Sequence, residues 1–280
     1  MKRFTVIPRV PMALHKAWEW KQYIFGLGAL SAFGLTMPMV TAHSVSAHRL
    51  TPDYWIQDQY HYAVDDASIL QPGENVDTLL PITPENPHLI WNEDYTQILV
   101  VTWKRQSSYE RHIRPHTLTS DQENHVIWVT AAPEIQDFCR EYLATHPEAT
   151  QEELELRLKQ HLGLHYDWTY DVFVELWVSP DQLFRPCVDP DITDTQCNEH
   201  FGDRIPEVAN IADYRSFYTH LYWQSFRTLP GTPWTGLGYT YDWGNPVSEV
   251  GVSEFIIAPS TPYTIHQVQP TREYCSVPQT

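Results

Sequence analysis

Three short runs of apolar residues, separated by long polar stretches, dominate the pattern along the chain. Their β-branched and aromatic side chains favour strands over helices of the same length. The runs span Gln97–Lys104, His125–Thr130 and Tyr170–Val178. The first two flank a polar stretch and are predicted to pair as a hairpin. A final strand pair is predicted at Val252–Ala258 and Tyr263–Val268, on either side of a Pro-Ser-Thr-Pro turn.

Three segments carry apolar positions at helical spacing. The first opens at Pro133, a residue type favoured in the first helical turn. The second begins with a capping box, in which Thr150 and Glu153 bond each other's backbone amides, and it ends at Gly163. The third, Asn210–Phe226, is the longest and carries an aromatic stripe, which is typical of a helix that packs on a core.

Residues 48–90 lack such a pattern and contain several prolines. They are predicted to form an irregular N-terminal arm with one short helix near Ala63–Leu70. Residues 91–280 mix strands and helices without a regular βαβ period. This order predicts a single α+β domain with a mainly antiparallel sheet, three main helices and long irregular loops.

The amino terminus has the pattern of a secretory signal peptide. Residues 1–22 are basic, and an apolar run follows from Tyr23 to Val40. Small residues then fit the cleavage rule at two places, of which Ala47 is favoured over Ala42. We therefore expect residues 1–47 to be removed and the chain to be secreted or periplasmic. An uncleaved membrane anchor is the alternative.

The charge balance limits the partners of such an exported chain. Of 18 basic and 35 acidic residues, residues 1–47 hold five and one, which leaves 13 against 34 and a net charge of −21. This charge repels phosphate backbones and anionic lipid headgroups. We expect no nucleic-acid partner and no membrane contact after signal cleavage. The partner classes compatible with this charge are a polysaccharide and an extracytoplasmic protein.

All four cysteines lie after the signal segment, and an even number in an exported chain predicts disulfides. Cys187 and Cys197 bracket a short loop rich in turn residues, so we pair them with each other. Cys139 is then left to pair with Cys275 at the far end of the chain. A zinc site of four cysteines is the alternative, although the chain lacks the C-x-x-C spacing typical of one.

The loop between Cys187 and Cys197 holds three closely spaced carboxylates, those of Asp189, Asp191 and Asp194. Carboxylate oxygens are ligands of the kind that Ca²⁺ takes, so calcium is the one candidate cofactor. The spacing differs from the EF-hand loop. Aspartate–proline turns closed by a disulfide explain the same residues.

The segment Leu229–Ile257 is the densest in glycines, prolines, aromatics and acids. Trp234, Tyr239, Tyr241 and Trp243 are candidate ligand-binding residues, because aromatic faces in a Gly-rich loop can stack on a sugar. Two carboxylates on either side of a glycan could hydrolyse it. The candidate catalytic acids are Asp242, Glu249, Glu254 and Glu175.

One part of this region resembles a known family. ADP-ribosyltransferases have a C-terminal strand, a proline turn and a further strand, with a glutamate on the first of these strands. The segments Ser253–Pro259 and Tyr263–Ile265 resemble this arrangement, and Glu254 is the matching glutamate. In that family an arginine on an early strand and then a serine-bearing strand precede the glutamate. In this chain Leu183–Arg185 and Ser225–Thr228 precede Glu254 in the same order. Two residues before the glutamate the family usually has a second acid, whereas this chain has Val252 at that position. The resemblance implies a transferase of that type.

Specific catalytic signatures are otherwise missing from the chain. The sequence contains no G-x-S-x-G elbow, H-E-x-x-H motif, phosphate-binding loop or dinucleotide fingerprint. The main expectation is therefore an exported binding or structural domain. The alternatives are a carbohydrate-active hydrolase or glycan binder that uses the Trp234–Glu254 region, and the ADP-ribosyltransferase-like enzyme.

Overall fold

The computed structural model describes residues 52–276, so the predicted signal segment lies outside the described residues. Among the described residues, no helix is both long enough and apolar enough to cross a bilayer. Helices and strands follow one another as α1 Pro52–Asp66, β1 Ile98–Lys104, α2 Gln106–His112, β2 Ile127–Ala131, α3 Ala132–Thr145, α4 Gln151–His161, β3 Val172–Val178, β4 Leu183–Phe184, α5 Tyr214–Arg227, β5 Tyr239–Tyr241, β6 Val250–Ser253, β7 Phe255–Ile257, β8 Thr264–Pro270 and α6 Thr271–Tyr274.

The core is a six-stranded sheet with the order β4-β7-β2-β1-β3-β8. Every neighbouring pair in it is antiparallel. The two central strands β1 and β3 are buried on both faces, which explains why their apolar runs do not alternate with polar residues. A small second sheet joins β5 to β6. The predicted α+β class, the antiparallel sheet and the β1–β2 pairing are confirmed.

The two faces of the sheet are covered differently. One face packs against loops through residues such as Ile82, Ile113 and Tyr263. The other, which we call the helix face, carries two separate groups of helices. Helices α3, α4 and α6 cover one part of it through Ile135, Leu158 and their neighbours, and α5 covers another part. Loops cover the gap that is left between the two groups.

The three predicted helices are present, and their ends follow the expected local rules. Thr150 caps α4, since its side chain accepts a hydrogen bond from the Glu153 amide at 3.2 Å while Glu153 accepts one from the Thr150 amide at 2.8 Å. Helix α5 begins at Tyr214, later than expected, because Asp213 caps it by accepting from the Ser216 amide at 2.6 Å. Asn210 instead has a positive φ of 58°, which is incompatible with a right-handed helix at that position.

Two helices and one strand pairing differ from the predictions. The helix expected near Ala63–Leu70 is longer and lies earlier, as α1, and α2 occupies a stretch interpreted as loop. In α1 exposed aromatic residues surround the buried positions Tyr60 and Ala63. The sequence therefore shows no clear apolar stripe for this helix. The last two strands do not pair with each other: β7 pairs with β2 and β4, whereas β8 pairs with β3.

Both predicted disulfides are confirmed. Cys139 on α3 is bonded to Cys275 just after α6, and Cys187 is bonded to Cys197. The first bridge closes a long loop, with a sequence separation of 136, and fastens the end of the described chain to the helix face. Loop-closure entropy assigns a bridge of this length roughly 4–5 kcal/mol of stabilisation.

Candidate functional site: a cavity between two strands

The candidate site is a cavity of about 350 Å³ that begins where β1 and β2 separate. The pairing of these strands consists of Val100 with Ala131 and Val101 with Thr130. Beyond this point the remainder of β1, up to Lys104, and Trp128 on β2 both contribute to the lining of the cavity. The opening lies on the gap between the two helix groups.

Side chains from both helix groups and from two loops complete the walls. Phe173 on β3 and Ile135 on α3 contribute one side, and Leu221 and Ser225 on α5 contribute another. The turn after α4 adds Gly163. Exposed lining residues occur at Trp168 and Gln224, so the cavity meets solvent there. Most of the wall is aromatic or aliphatic, as in sites for small organic molecules.

Three of the four predicted ligand-binding aromatics line this cavity. Trp234, Tyr239 and Tyr241 do so, and all are buried, with at most 6% of their surface exposed. The hydroxyl groups of the two tyrosines point to other partners: Tyr239 donates to the Glu74 carbonyl at 2.8 Å and Tyr241 to the Asp66 carboxylate at 2.7 Å. Trp243 instead packs edge-on against Tyr60 on α1, at 5.6 Å.

Glu254 is the one candidate catalytic acid that lines the cavity. It lies between β6 and β7, where its amide donates to the Gly238 carbonyl at 3.0 Å, and only 7% of its surface is exposed. Its Oε1 atom and the Trp234 indole nitrogen are both buried without a well-formed hydrogen bond. Burial raises the pKa of Glu254 well above its usual value, and the nearby Trp234 N–H offsets this only in part. Burial without a charged partner therefore favours the protonated, neutral form of this side chain.

The other three acids lie in separate places. Glu175 on β3 accepts a hydrogen bond from the Gln267 amide at 2.6 Å. Glu249 lies near the Tyr239 hydroxyl, at 3.4 Å. Asp242 follows β5 and is bound to α4. Since only Glu254 faces the cavity, the four acids do not form the facing carboxylate pair that glycoside hydrolysis requires.

Asp242 is the centre of a buried ion pair. Its two oxygens accept from the Arg157 guanidinium at 2.9 and 2.7 Å, and Oδ2 also accepts from Nδ1 of His161 at 2.8 Å. Burial alone would raise the pKa of Asp242, but the hydrogen bonds from His161 and Arg157 hold it below its usual value. Burial also lowers the pKa of His161, so the ring is neutral and donates its Nδ1 proton.

Behind the two cavity tyrosines lies the only group of three clustered carboxylates in residues 52–276. Oxygens of Asp66, Glu74 and Glu249 lie within 4.8 Å of one another, in half-buried positions. Burial, followed by the charges of its two neighbours, raises the pKa of Glu249. Oxygen atoms in this arrangement are of the kind that Ca²⁺ takes.

The three aspartates predicted as calcium ligands accept hydrogen bonds from protein donors. Asp189 accepts from the Asn198 amide at 2.6 Å, and Asp191 accepts from the Thr193 amide at 2.8 Å. Asp194 accepts from the buried Arg185 guanidinium at 2.9 Å. Each of the three carboxylates therefore has at least one protein donor.

The residues behind the ADP-ribosyltransferase resemblance are arranged differently from that family's order. Ser225 lies on helix α5 rather than on a strand. Arg185 follows the short strand β4, is fully buried and is paired with Asp194. Ser225 and Glu254 both line the cavity, whereas Arg185 is not among the lining residues.

Sequence reasoning missed the part of the site that the sheet supplies. Trp103 and Trp128 belong to the first two predicted strands, and Thr130 is a polar residue at a buried strand position. A hydroxyl at a buried strand position, that of Thr130, is the one signal in the sequence that could have indicated this wall. The separation of β1 and β2 has no signature in the sequence.

No family model, curated protein or solved structure matches this chain. The site must therefore be interpreted from its own geometry.

The buried ion pair predicts a large loss of stability on Asp242→Asn. The change leaves the Arg157 guanidinium, which is only partly exposed, without its charged partner. We expect the free energy of unfolding in denaturant to fall by about 2–4 kcal/mol. Asp167→Asn, at an exposed position near α4, is the control and should cost less than about 0.5 kcal/mol. An equal, small effect of both changes would contradict this assignment.

Burial of Glu254 predicts a specific pH dependence of stability. Its folded-state pKa lies above the value of 4.5 taken for the unfolded chain, so the folded protein binds the extra proton. This contribution to the free energy of unfolding is lost as pH rises from 4.5 through the folded-state pKa. The unfolding free energy of the wild type should therefore fall more steeply between pH 5 and 8 than that of Glu254→Gln. Parallel pH profiles in urea titrations would contradict a raised pKa.

Proposed function

We propose that this is an exported protein that binds one small, mostly apolar molecule in the cavity between β1 and β2. The observation that carries the proposal is the cavity of about 350 Å³, with an aromatic lining and the carboxyl group of Glu254 in its wall. This volume lies within the range of roughly 300–1,000 Å³ that is usual for small-molecule sites.

The unpartnered polar atoms favour a binding role over a purely structural one. Glu254 Oε1 and Trp234 Nε1 lack good hydrogen bonds, and each such buried group costs about 1–3 kcal/mol. A protein that only needed a packed core would gain stability from an apolar residue at position 254. A ligand that bonds to these atoms recovers the loss, so the cost is explained if the cavity is occupied during function.

The walls are also held in place before any ligand binds. Tyr241 immediately precedes Asp242, whose ion pair with Arg157 fastens this strand to α4. On the other side, the Tyr60 hydroxyl of α1 donates to the Gly231 carbonyl at 2.9 Å. A preformed site loses less conformational entropy on binding than a mobile loop does.

A small molecule fits the site better than a polysaccharide does. The candidate stacking residues are buried walls of a cavity, not open faces along a groove. Cleavage of a glycan would need a second carboxylate facing Glu254, and Asp242, Glu249 and Glu175 all lie outside the lining. The two disulfides are compatible with the oxidising compartment that an exported chain reaches.

A cavity-filling variant tests this proposal. Ser225→Phe places a ring into the cavity from α5, and Thr219→Phe places the same ring at an exposed position of that helix. The neutral probe N-phenyl-1-naphthylamine fluoresces when it enters an apolar site. We expect saturable binding to the wild type and to Thr219→Phe, and affinity at least about tenfold lower for Ser225→Phe, a loss of about 1.4 kcal/mol.

Two results would contradict the proposal. One is the absence of saturable binding to the folded wild type. The other is equal affinity of Ser225→Phe, because the probe would then bind elsewhere. Circular dichroism of both variants establishes that they are folded.

A further inference from the structure

We propose that the molecule bound in this cavity is an organic cation, an ammonium group with apolar substituents, recognised by the Glu254 carboxylate and the surrounding aromatic rings. This inference rests on the proposed binding function and names the chemical class of the ligand. Four observations support it: the state of Glu254, the polarisation of Tyr241, the other charges at the cavity and the charge of the whole chain.

Glu254 has no cationic partner among residues 52–276. Among the described residues it forms no ion pair, and its Oε1 atom has no hydrogen-bond donor in good geometry. A carboxyl group that is 7% exposed usually pairs with a basic side chain, as Asp242 does with Arg157. A ligand cation would supply the missing partner in a setting of low dielectric constant, where a charge pair is strong.

One ring among the lining residues is polarised in the sense that favours a cation. Tyr241 donates its hydroxyl proton to the Asp66 carboxylate at 2.7 Å, whereas Tyr239 donates its hydroxyl proton to the uncharged Glu74 carbonyl at 2.8 Å. Donation to an anionic acceptor pushes electron density into the phenol ring, because hydrogen-bonded groups polarise one another. A ring richer in electrons attracts a cation more strongly to its face.

The rest of the lining adds rings but no competing cation. Trp103, Trp128 and Trp234 belong to it, and tryptophan is the best partner for a cation among aromatic side chains. The one basic residue among the described lining residues is Lys104. Its register partner Val172 belongs to the core on the face opposite the helix face, so strand alternation places Lys104 on that opposite face.

The titratable groups near Glu254 leave it as the only one able to take the negative charge. Burial raises the pKa of Tyr170, Tyr239 and Tyr241 in the lining, and raises that of Tyr218 on α5 to about 12, so all four stay neutral. When a cation enters, the Glu254 proton passes to solvent and the carboxylate remains beside the ligand charge.

The charge of the whole chain favours the same ligand class. The net charge is −17, and the cluster Asp66–Glu74–Glu249 lies behind the two tyrosines. A negative potential raises the local concentration of cations and speeds their entry. It opposes the entry of an anion into a cavity that already holds an acid.

An isosteric pair of probes provides the test. Phenyltrimethylammonium and tert-butylbenzene have the same shape and differ in the charge on the central atom. Titration of tryptophan fluorescence at pH 7.5 should give an affinity for the cation at least about tenfold higher than for the neutral isostere. If the neutral molecule binds as tightly or more tightly, this inference is wrong and the proposed binding function stands. If neither molecule binds, both are wrong.

Two conservative variants identify the carboxylate responsible. Glu254→Gln keeps the shape of the side chain but cannot ionise, so it should remove most of the tenfold preference and leave the affinity for tert-butylbenzene within about twofold. Glu175→Gln, a buried acid of the same sheet outside the lining, should keep the preference. An unchanged preference in Glu254→Gln would overturn the role given to this residue.

Discussion

The ion pair between Asp242 and Arg157 is the interaction on which the rest of the site depends. It joins the loop after β5 to α4 with two short hydrogen bonds, and His161 adds a third from the same helix. The His161 ring stacks on Phe138 of α3 with ring centroids 3.6 Å apart, so α3 and α4 are both fixed relative to the loop. The strand that carries Tyr239 and Tyr241 is therefore held over the gap in the helix face.

That gap follows from the way in which the sheet is covered. Two helix groups pack on one face, and the pairing of β1 with β2 stops after two residue pairs, so the strands separate beneath the space between the groups. Loops close this space from above without filling it. The result is a cavity whose floor is the sheet and whose roof is the segment that the ion pair holds. Glu254 enters its wall because the chain passes from β6 to β7 at this point.

The fold was predictable where local patterns decide it. Strands β1 to β3 and helices α3 to α5 have apolar runs or stripes of the right period, and the capping box of Thr150 fixes its helix end. The partners of the last two strands were not predictable, because β7 and β8 join strands far away in sequence, and a proline turn between them resembled a hairpin. The bounds of helix α1 were not predictable, because exposed aromatics hide its buried stripe.

The same distinction holds for the site. The segment around Trp234, Tyr239 and Glu254 was identified from its composition, and these residues do line the cavity. The separate role of Asp242 could not be predicted, since its partner Arg157 is 85 positions away along the chain. The contribution of Trp103 and Trp128 to the cavity could not be predicted either, because it depends on the point at which the pairing of β1 and β2 stops.

The protonation state of Glu254 is the property that tests this account most directly. The infrared difference spectrum between the wild type and Glu254→Gln, recorded at neutral pH without ligand, isolates the vibrations of this side chain. The account predicts the carbonyl stretch of a neutral carboxylic acid, since burial without a charged partner raises its pKa. A carboxylate band in its place would show that Glu254 is already hydrated or paired with a cation. This result would contradict the proposal that a ligand cation supplies the missing partner of Glu254.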